Sequence, residues 1–128
     1  MGQVVEIHAP NMGPMTYFAF LEGPVWVGSL GTLFFSDNAS SPEEVIWKLV
    51  PPSTTPELFM PNSGSNGLAI DNDDQLVLAD QRRRRVVRVD PETAMVTDVV
   101  VPEGNHTPND IIVRSDGNIY FTDPMSRR

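Results

Sequence analysis

Residues Glu22–Asp37 read EGPVWVGSLGTLFFSD, Ser65–Asp80 read SNGLAIDNDDQLVLAD, and Pro108–Asp123 read PNDIIVRSDGNIYFTD. The offset from one segment to the next is 43 residues both times, and no gap opens inside any of them. In each, a short apolar run (Val25–Val27, Leu68–Ile70, Ile111–Val113) meets a polar turn built from Gly, Asn, Asp and Ser. A second apolar run follows (Leu33–Phe35, Leu76–Leu78, Ile119–Phe121). Each segment therefore predicts a β-hairpin ending in Asp. Between the hairpins lie two looser pairs of strand-like stretches, Val45–Val50 with Glu57–Met60 and Arg85–Asp90 with Met95–Val101. Pro51, Pro52 and Pro56 separate the first pair and Pro91-Glu92-Thr93 the second, so each break has turn chemistry. Four short strands per 43 residues match a β-propeller blade, for which ~40–45 residues are usual. A β-sandwich also has many short strands, but it does not call for an ungapped period met three times. No long stretch shows helical spacing of its apolar residues, and Pro and Gly interrupt too often for one to hide.

The expected fold class is all-β, a propeller of four-stranded blades present here as just under three. The repeats fall near 22–64, 65–107 and 108–128, as a partial propeller over residues 21–128. Residues 1–20 hold two further strand-like stretches, Val4–His8 and Thr16–Phe20, which are expected to complete a terminal blade. Trp26 and Trp47, at strand positions, are expected in the core.

Composition narrows the chemistry. The 128 residues carry 17 Asp and Glu against 9 Lys and Arg, a formal charge of −8, with no Cys and only two His, His8 and His106. Disulfides, thiolate catalysis and Cys-based metal sites are excluded, and a multi-histidine site is disfavoured, so a bound metal would be held by oxygen. With a single lysine, Lys48, the chain lacks the basic surplus that nucleic-acid binding needs. No apolar run approaches the ~20 residues that cross a bilayer, and the first residues lack the basic-then-apolar pattern of a secretory signal. The chain as written is therefore expected to be cytoplasmic, without membrane or nucleic-acid partners.

Hairpin topology gathers particular residues. The residue before the first strand and the residue after the second sit at the same end of an antiparallel hairpin. Glu22 then lies beside Asp37, Asn66 beside Asp80, and Asn109 with Asp110 beside Asp123. Blades set round an axis bring Glu22, Asn66 and Asn109 to one rim near the channel. These are oxygen donors suited to a hard divalent cation such as Ca²⁺, which takes about 6–8 oxygens. Asp37, Asp80 and Asp123 have a simpler reading: the same residue in every unit indicates a structural role that every unit needs. Glu is not a favoured turn former, and Glu22 precedes Gly23-Pro24 and an apolar strand, which marks it for function.

The motifs LEGPVWV…GTLFFSD, NGLAIDNDDQLVLAD…RRVVRVD and PNDIIVRSDGNIYFTDP resemble the senescence marker protein/gluconolactonase (regucalcin-like) family from about Leu21 to Pro124. The resemblance implies a six-bladed propeller with one divalent cation at the top of its channel, most commonly Ca²⁺, with Zn²⁺, Mg²⁺ or Mn²⁺ as alternatives. It implies a hydrolase acting on sugar lactones or related lactones, the small-molecule partner of this chain. By position, Glu22 and Asn109 match metal-binding residues of the family, and Asn66 matches a channel-facing motif position with a substrate or outer-shell role. The family's remaining ligands, an Asn and an Asp from later blades, have no counterpart up to Arg128. That Asp is also the family's candidate base, so no catalytic residue is assigned. Many members show Glu-His-Gly-Asn-Arg-Arg where this chain reads Asp80-Gln81-Arg82-Arg83-Arg84-Arg85, which bears on substrate preference.

The Arg82–Arg85 run is expected on the acidic rim, paired to Asp80 or the Asp71–Asp74 region, with Arg84 placed to anchor a substrate. His106, three residues before Asn109, is expected at the channel mouth as a proton carrier. Two alternatives stand beside the lactonase: an inactive truncated arc with a binding or structural role, and a homodimer that closes the ring through its open edges.

Overall fold

The computed structural model describes residues 2–10, 18–38, 44–100 and 103–124, and among them there are ten strands and no helix. Strands β1 (Leu21–Val27), β2 (Thr32–Asp37), β3 (Val45–Leu49) and β4 (Glu57–Met60) form one antiparallel sheet in that order. A second sheet holds β5 (Ser65–Ile70), β6 (Leu76–Asp80), β7 (Arg85–Val89) and β8 (Val96–Val100), and β9 (Ile111–Val113) pairs with β10 (Ile119–Phe121) as a third. The first strands of the three sheets face one another, β1 packing on β5 and β5 on β9. The sheets therefore follow one another as the blades of a propeller.

The repeat is kept at the level of single dihedral angles. Gly31, Asp74 and Gly117 lie one period apart at the hairpin turns, with left-handed φ of 57°, 57° and 89°. Each donates its N–H three residues back, to the carbonyls of Gly28, Asp71 and Arg114. Glycine enters this region without strain and Asp tolerates it, which is why this position alternates between those two residues. The expected strands form with small changes at their ends. β1 and β5 begin earlier than their apolar runs because Leu21–Gly23 and Ser65–Gly67 join the ladder across a bulge. The last stretch of the second blade narrows to Val96–Val100, and Val101 lies outside the described residues.

Strand β6 explains how the core is divided. Its run Leu76-Val77-Leu78-Ala79 has no apolar–polar alternation because both faces are covered. Leu76 and Leu78, with Leu68, Val87 and Val89, meet Val27, Phe34 and Ile46 of the first blade. Val77 and Ala79, with Ala69 and Val86, meet Ile111, Val113, Ile119 and Phe121 of the third. Alternate side chains point to opposite faces, so one strand supplies two inter-blade cores. Full burial of each large aliphatic contributes roughly 1.5–3 kcal/mol, which makes the central blade the stabilising element of the arc.

The first blade's other face is partly covered by the N-terminal segment. Phe18 meets Phe35 and Trp47 edge-on, with ring centroids 5.7 and 6.1 Å apart. Ile7 lies in a groove with Leu21, Glu22, Leu33 and Phe35. Val4–His8 pairs with no strand among the described residues; its recorded main-chain link is His8 N–H to the Thr54 carbonyl at 2.8 Å. Of Thr16–Phe20, residues 16 and 17 lie outside the described residues, and 18–20 form no strand. Trp47 is buried as expected, but Trp26 is 51% exposed. Alternation along β1 gives Val25 and Val27 to the interface with the second blade and turns Trp26 to the opposite face. The third blade leaves Ile112 and Tyr120 exposed in the same way.

Candidate functional site

The three candidate oxygen donors lie on the inner ends of neighbouring blades, and close main-chain approach puts them together. Gly67 N–H donates to the Asn109 carbonyl at 2.7 Å, linking the strand that carries Asn66 to the residue that opens the third hairpin. Gly23, next to Glu22, sits so near the second blade that a Cβ there would lie 2.5 Å from Leu68 N and 3.0 Å from the Asn66 carbonyl. A Cβ on Gly67 would lie 2.8 Å from the Asn109 carbonyl oxygen and from Asp110 Cα. The bulges after Glu22 and Ser65 fall at this same end. Bulges there re-aim the following residues while the rest of the strand stays in register.

The three residues differ in environment. Asn66 is buried, and its amide nitrogen donates to Gln81 Oε1 at 3.4 Å. Glu22 and Asn109 are half-buried. Among the described residues, no hydrogen bond or ion pair engages the Glu22 carboxylate or the Asn109 side-chain amide. The Glu22 carboxylate and the Asn109 amide oxygen are hard donors whose chemistry fits a cation of the Ca²⁺ type, and they amount to two of the about 6–8 oxygens it takes. Among the described residues, no group of three or more His, Cys, Asp or Glu is placed to hold a metal, at this rim or elsewhere.

The strand-end aspartates have structural partners in each blade. Asp37 accepts from the N–H groups of Ala19 and Phe20, the latter at 2.8 Å. Asp80, 1% exposed, accepts from Arg83 N–H at 3.1 Å, Arg83 Nη1 at 3.2 Å and Arg85 Nε at 2.9 Å. Asp123 accepts from Thr107 N–H at 2.8 Å and pairs with His106 Nδ1.

The arginines divide between neighbours, and the Asp71 partner is Arg88, outside the run, at 2.8 Å. Arg82 pairs with Glu44 and donates to Asn62, Arg83 also reaches the Asn62 and Ser63 carbonyls, and Arg85 adds Asp98. Arg84 is held by Asn105 Oδ1 and so bridges to the loop before Asn109.

The hydrogen bond with Asp123 raises the His106 pKa above 6.5; desolvation opposes it, and a weaker hydrogen bond with the Glu103 main chain adds to it. A raised folded pKa means that the pair's stabilisation is fully present below the unfolded value, near 6.5, and is lost as pH climbs through the folded value. Proton NMR of the His106 ring is expected to give a midpoint above 6.5 that falls toward the ordinary value in Asp123→Asn. An unshifted wild-type midpoint would contradict the pairing.

Sequence reasoning placed Glu22, Asn66 and Asn109 at one end but missed what lies behind them. Ser36, opposite Glu22 in the ladder, meets Ser65 Oγ at 2.7 Å; Ser63 meets Ser65 at 2.9 Å and donates to the Glu44 carbonyl. These buried hydroxyls link the first blade to the second. The run Asn62-Ser63-Gly64-Ser65 reads as an ordinary turn, and only its partner Ser36, 29 residues away, gives it this role.

The fold defines a propeller repeat protein whose successive blades approach closely through the main chain beside Glu22, Asn66 and Asn109. Residues 20–128 match the family described as SMP-30/Gluconolactonase/LRE-like region, and the chain belongs to that family. It is 31% identical over 137 residues to a gluconolactonase of Zymomonas mobilis subsp. mobilis, an alignment covering 94% of this chain and 38% of that protein. Among solved structures it resembles XC5397 of Xanthomonas campestris, described as a gluconolactonase important in glucose secondary metabolic pathways. There the TM-score is 0.71 and identity 29%, over 82% of this chain and 35% of that one. A putative gluconolactonase shares the fold at TM-score 0.69 and 24% identity, over 84% of this chain and 37% of that one. The chain thus spans less than two-fifths of each of these relatives. Among the described residues, no helix is long and apolar enough to cross a membrane.

Proposed function

We propose that this chain is the N-terminal part of a divalent-metal-dependent lactonase acting on sugar lactones or related lactones. The observation that carries the reading is the gathering of Glu22, Asn66 and Asn109 at adjoining inner-strand ends, in a chain that belongs to a family with members named gluconolactonase. Glu22 and Asn109 would hold the cation, most suitably Ca²⁺ given the oxygen donors. A bound cation supplies polarisation of a lactone carbonyl and a water of lowered pKa. The chain's own residues do the rest. Glu22 brings the negative charge that keeps a cation at the rim, and Asn109 brings a neutral oxygen on a backbone locked to the second blade. Asn66, its amide held by Gln81 on the intervening blade, would take a substrate or outer-shell role. Arg84, tied to Asn105, and His106, tied to Asp123, would meet the substrate from the second and third blades.

The test is hydrolysis of glucono-1,5-lactone by the protein at its full encoded length, followed as acid release. Excess chelator is expected to lower the enzymatic rate at least about tenfold, about 1.4 kcal/mol in barrier, and added Ca²⁺ to restore it. Full activity in excess chelator would overturn the reading. A second reading, an arc that binds Ca²⁺ without turnover, is favoured by the donor count: Glu22 and Asn109 supply at most a third of a Ca²⁺ shell of about 6–8 oxygens. Ca²⁺ binding without hydrolysis of any lactone offered would select it.

A further inference from the structure

We propose that the strand-end aspartates Asp37, Asp80 and Asp123 are positioning residues for Glu22, Asn66 and Asn109 respectively. What they position rests on the function proposed above; that they position it stands on the following geometry. Asp123 holds His106 and Thr107, three and two residues ahead of Asn109. Asp37 holds Ala19 and Phe20, three and two residues ahead of Glu22. In the second blade Asp80 acts through Arg83, whose guanidinium donates to Asp80 Oδ2 at 3.2 Å and to the carbonyl of Ser63, three residues ahead of Asn66, at 3.2 Å. The carbonyl of Gly64, two residues ahead, accepts from Gln81, the residue after Asp80, at 2.9 Å.

The spacing keeps each clamp in step with its candidate ligand. In the frame of the 43-residue repeat, Glu22 stands one position earlier than Asn66 and Asn109. The backbone held by Asp37 also stands one position earlier than the backbone held by Asp123. Clamp and candidate ligand move together with the hairpin register, which in the first blade (Val27↔Thr32) stands one residue off that of the second (Ile70↔Leu76) and third (Val113↔Ile119). In the third blade, main-chain bonding leaves the segment little freedom. Thr107 N–H goes to Asp123 Oδ1, Pro108 has none to give, Asn109 N–H goes to the Thr122 carbonyl at 2.9 Å, and Asp110 N–H goes to Thr122 Oγ1 at 2.9 Å. Residues 122 and 123 thus set the backbone on which Asn109 stands, and Pro108 is fully buried beneath it.

Asp123→Ala and the milder Asp123→Asn, which keeps one acceptor oxygen, test this against Asp37→Ala. Amide hydrogen exchange is the first readout. Asp123→Ala is expected to speed exchange at Thr107 and Asn109 at least tenfold and leave Leu78 and Val87 unchanged, with Asp123→Asn between it and wild type. Asp37→Ala is expected to act on Ala19 and Phe20 and to spare Asn109. The second readout is titration with Ca²⁺ alone, followed by the Asn109 side-chain amide resonance, where Asp123→Ala is expected to weaken binding at least threefold and Asp37→Ala to leave that resonance's starting position unmoved. Unchanged exchange at Asn109 in Asp123→Ala overturns the proposal, as does acceleration spread evenly over the chain in the folded Asp123→Asn variant. If wild type binds no Ca²⁺, the proposed function fails while the exchange pattern still decides the clamp.

Discussion

Glu22→Gln is expected to lower metal-dependent lactone hydrolysis by at least about a hundredfold, about 2.7 kcal/mol of transition-state stabilisation, in a protein that folds as wild type does. Glu22 supplies the only carboxylate among the three candidate donors. Glutamine keeps its length, shape and one oxygen, so the change removes charge and little else. A divalent cation in a partly desolvated site loses strongly from that change, because an amide oxygen carries no net charge to offset the stripped water. Stability gives the control. Since no ion pair or hydrogen bond engages the Glu22 carboxylate among the described residues, the variant's stability should stay within about 0.5 kcal/mol of wild type, a shift in Tm of no more than about 4 °C. The measurement is acid release from glucono-1,5-lactone beside a thermal melt at matched Ca²⁺. A well-folded variant retaining more than about a tenth of the wild-type rate would remove Glu22 from the site.

Gly23→Ala is expected to be strongly destabilising, costing about 2–5 kcal/mol. Two physical terms add. Gly23 has φ of 54°, where a residue with a Cβ is disfavoured by about 1–2 kcal/mol. The added methyl would also lie 2.5 Å from Leu68 N and 3.0 Å from the Asn66 carbonyl oxygen. Both contacts are main-chain atoms of the next blade, which cannot turn aside as a flexible side chain can, and overpacking of this kind costs about 1–3 kcal/mol. The total is a large part of the about 5–15 kcal/mol that holds a typical domain folded, so Tm should fall by about 10 °C or more. Gly28→Ala is the matched control, since an added Cβ there meets nothing within 4 Å. Equal melting of the two variants would show that the first and second blades do not approach as described. Because Gly23 adjoins Glu22, any Gly23→Ala protein that still folds should bind Ca²⁺ more weakly as well.

Much of this was legible in the sequence, for a reason particular to repeats. A hairpin is local: its strands, turn and register are set by residues within about twenty positions, and the 43-residue period let three copies corroborate one another. Glu22, Asn66 and Asn109 could be placed at one rim because antiparallel pairing puts the start of one strand beside the end of the next. Trp26 was misread because its strand has two faces, and only the second blade, packing on Val25 and Val27, decides which one is core. Val4–His8 has strand-forming residues but no strand to pair with among the described residues, and β-propensity without a partner makes no ladder. The serine chain and the partners of the strand-end aspartates join residues of different strands and loops, so no local pattern announces them.

The sequence by itself determined the strand content, the blade period, the turn positions and the family, all of which rest on local residue choice repeated at a constant interval. The tertiary structure alone decided which face of each blade is buried, why Gly23 and Gly67 must be glycine, and which backbone each strand-end aspartate holds. Those facts depend on distances between main-chain atoms of adjacent blades. Such distances arise only when apolar faces pack together, and no single blade contains the information that sets them.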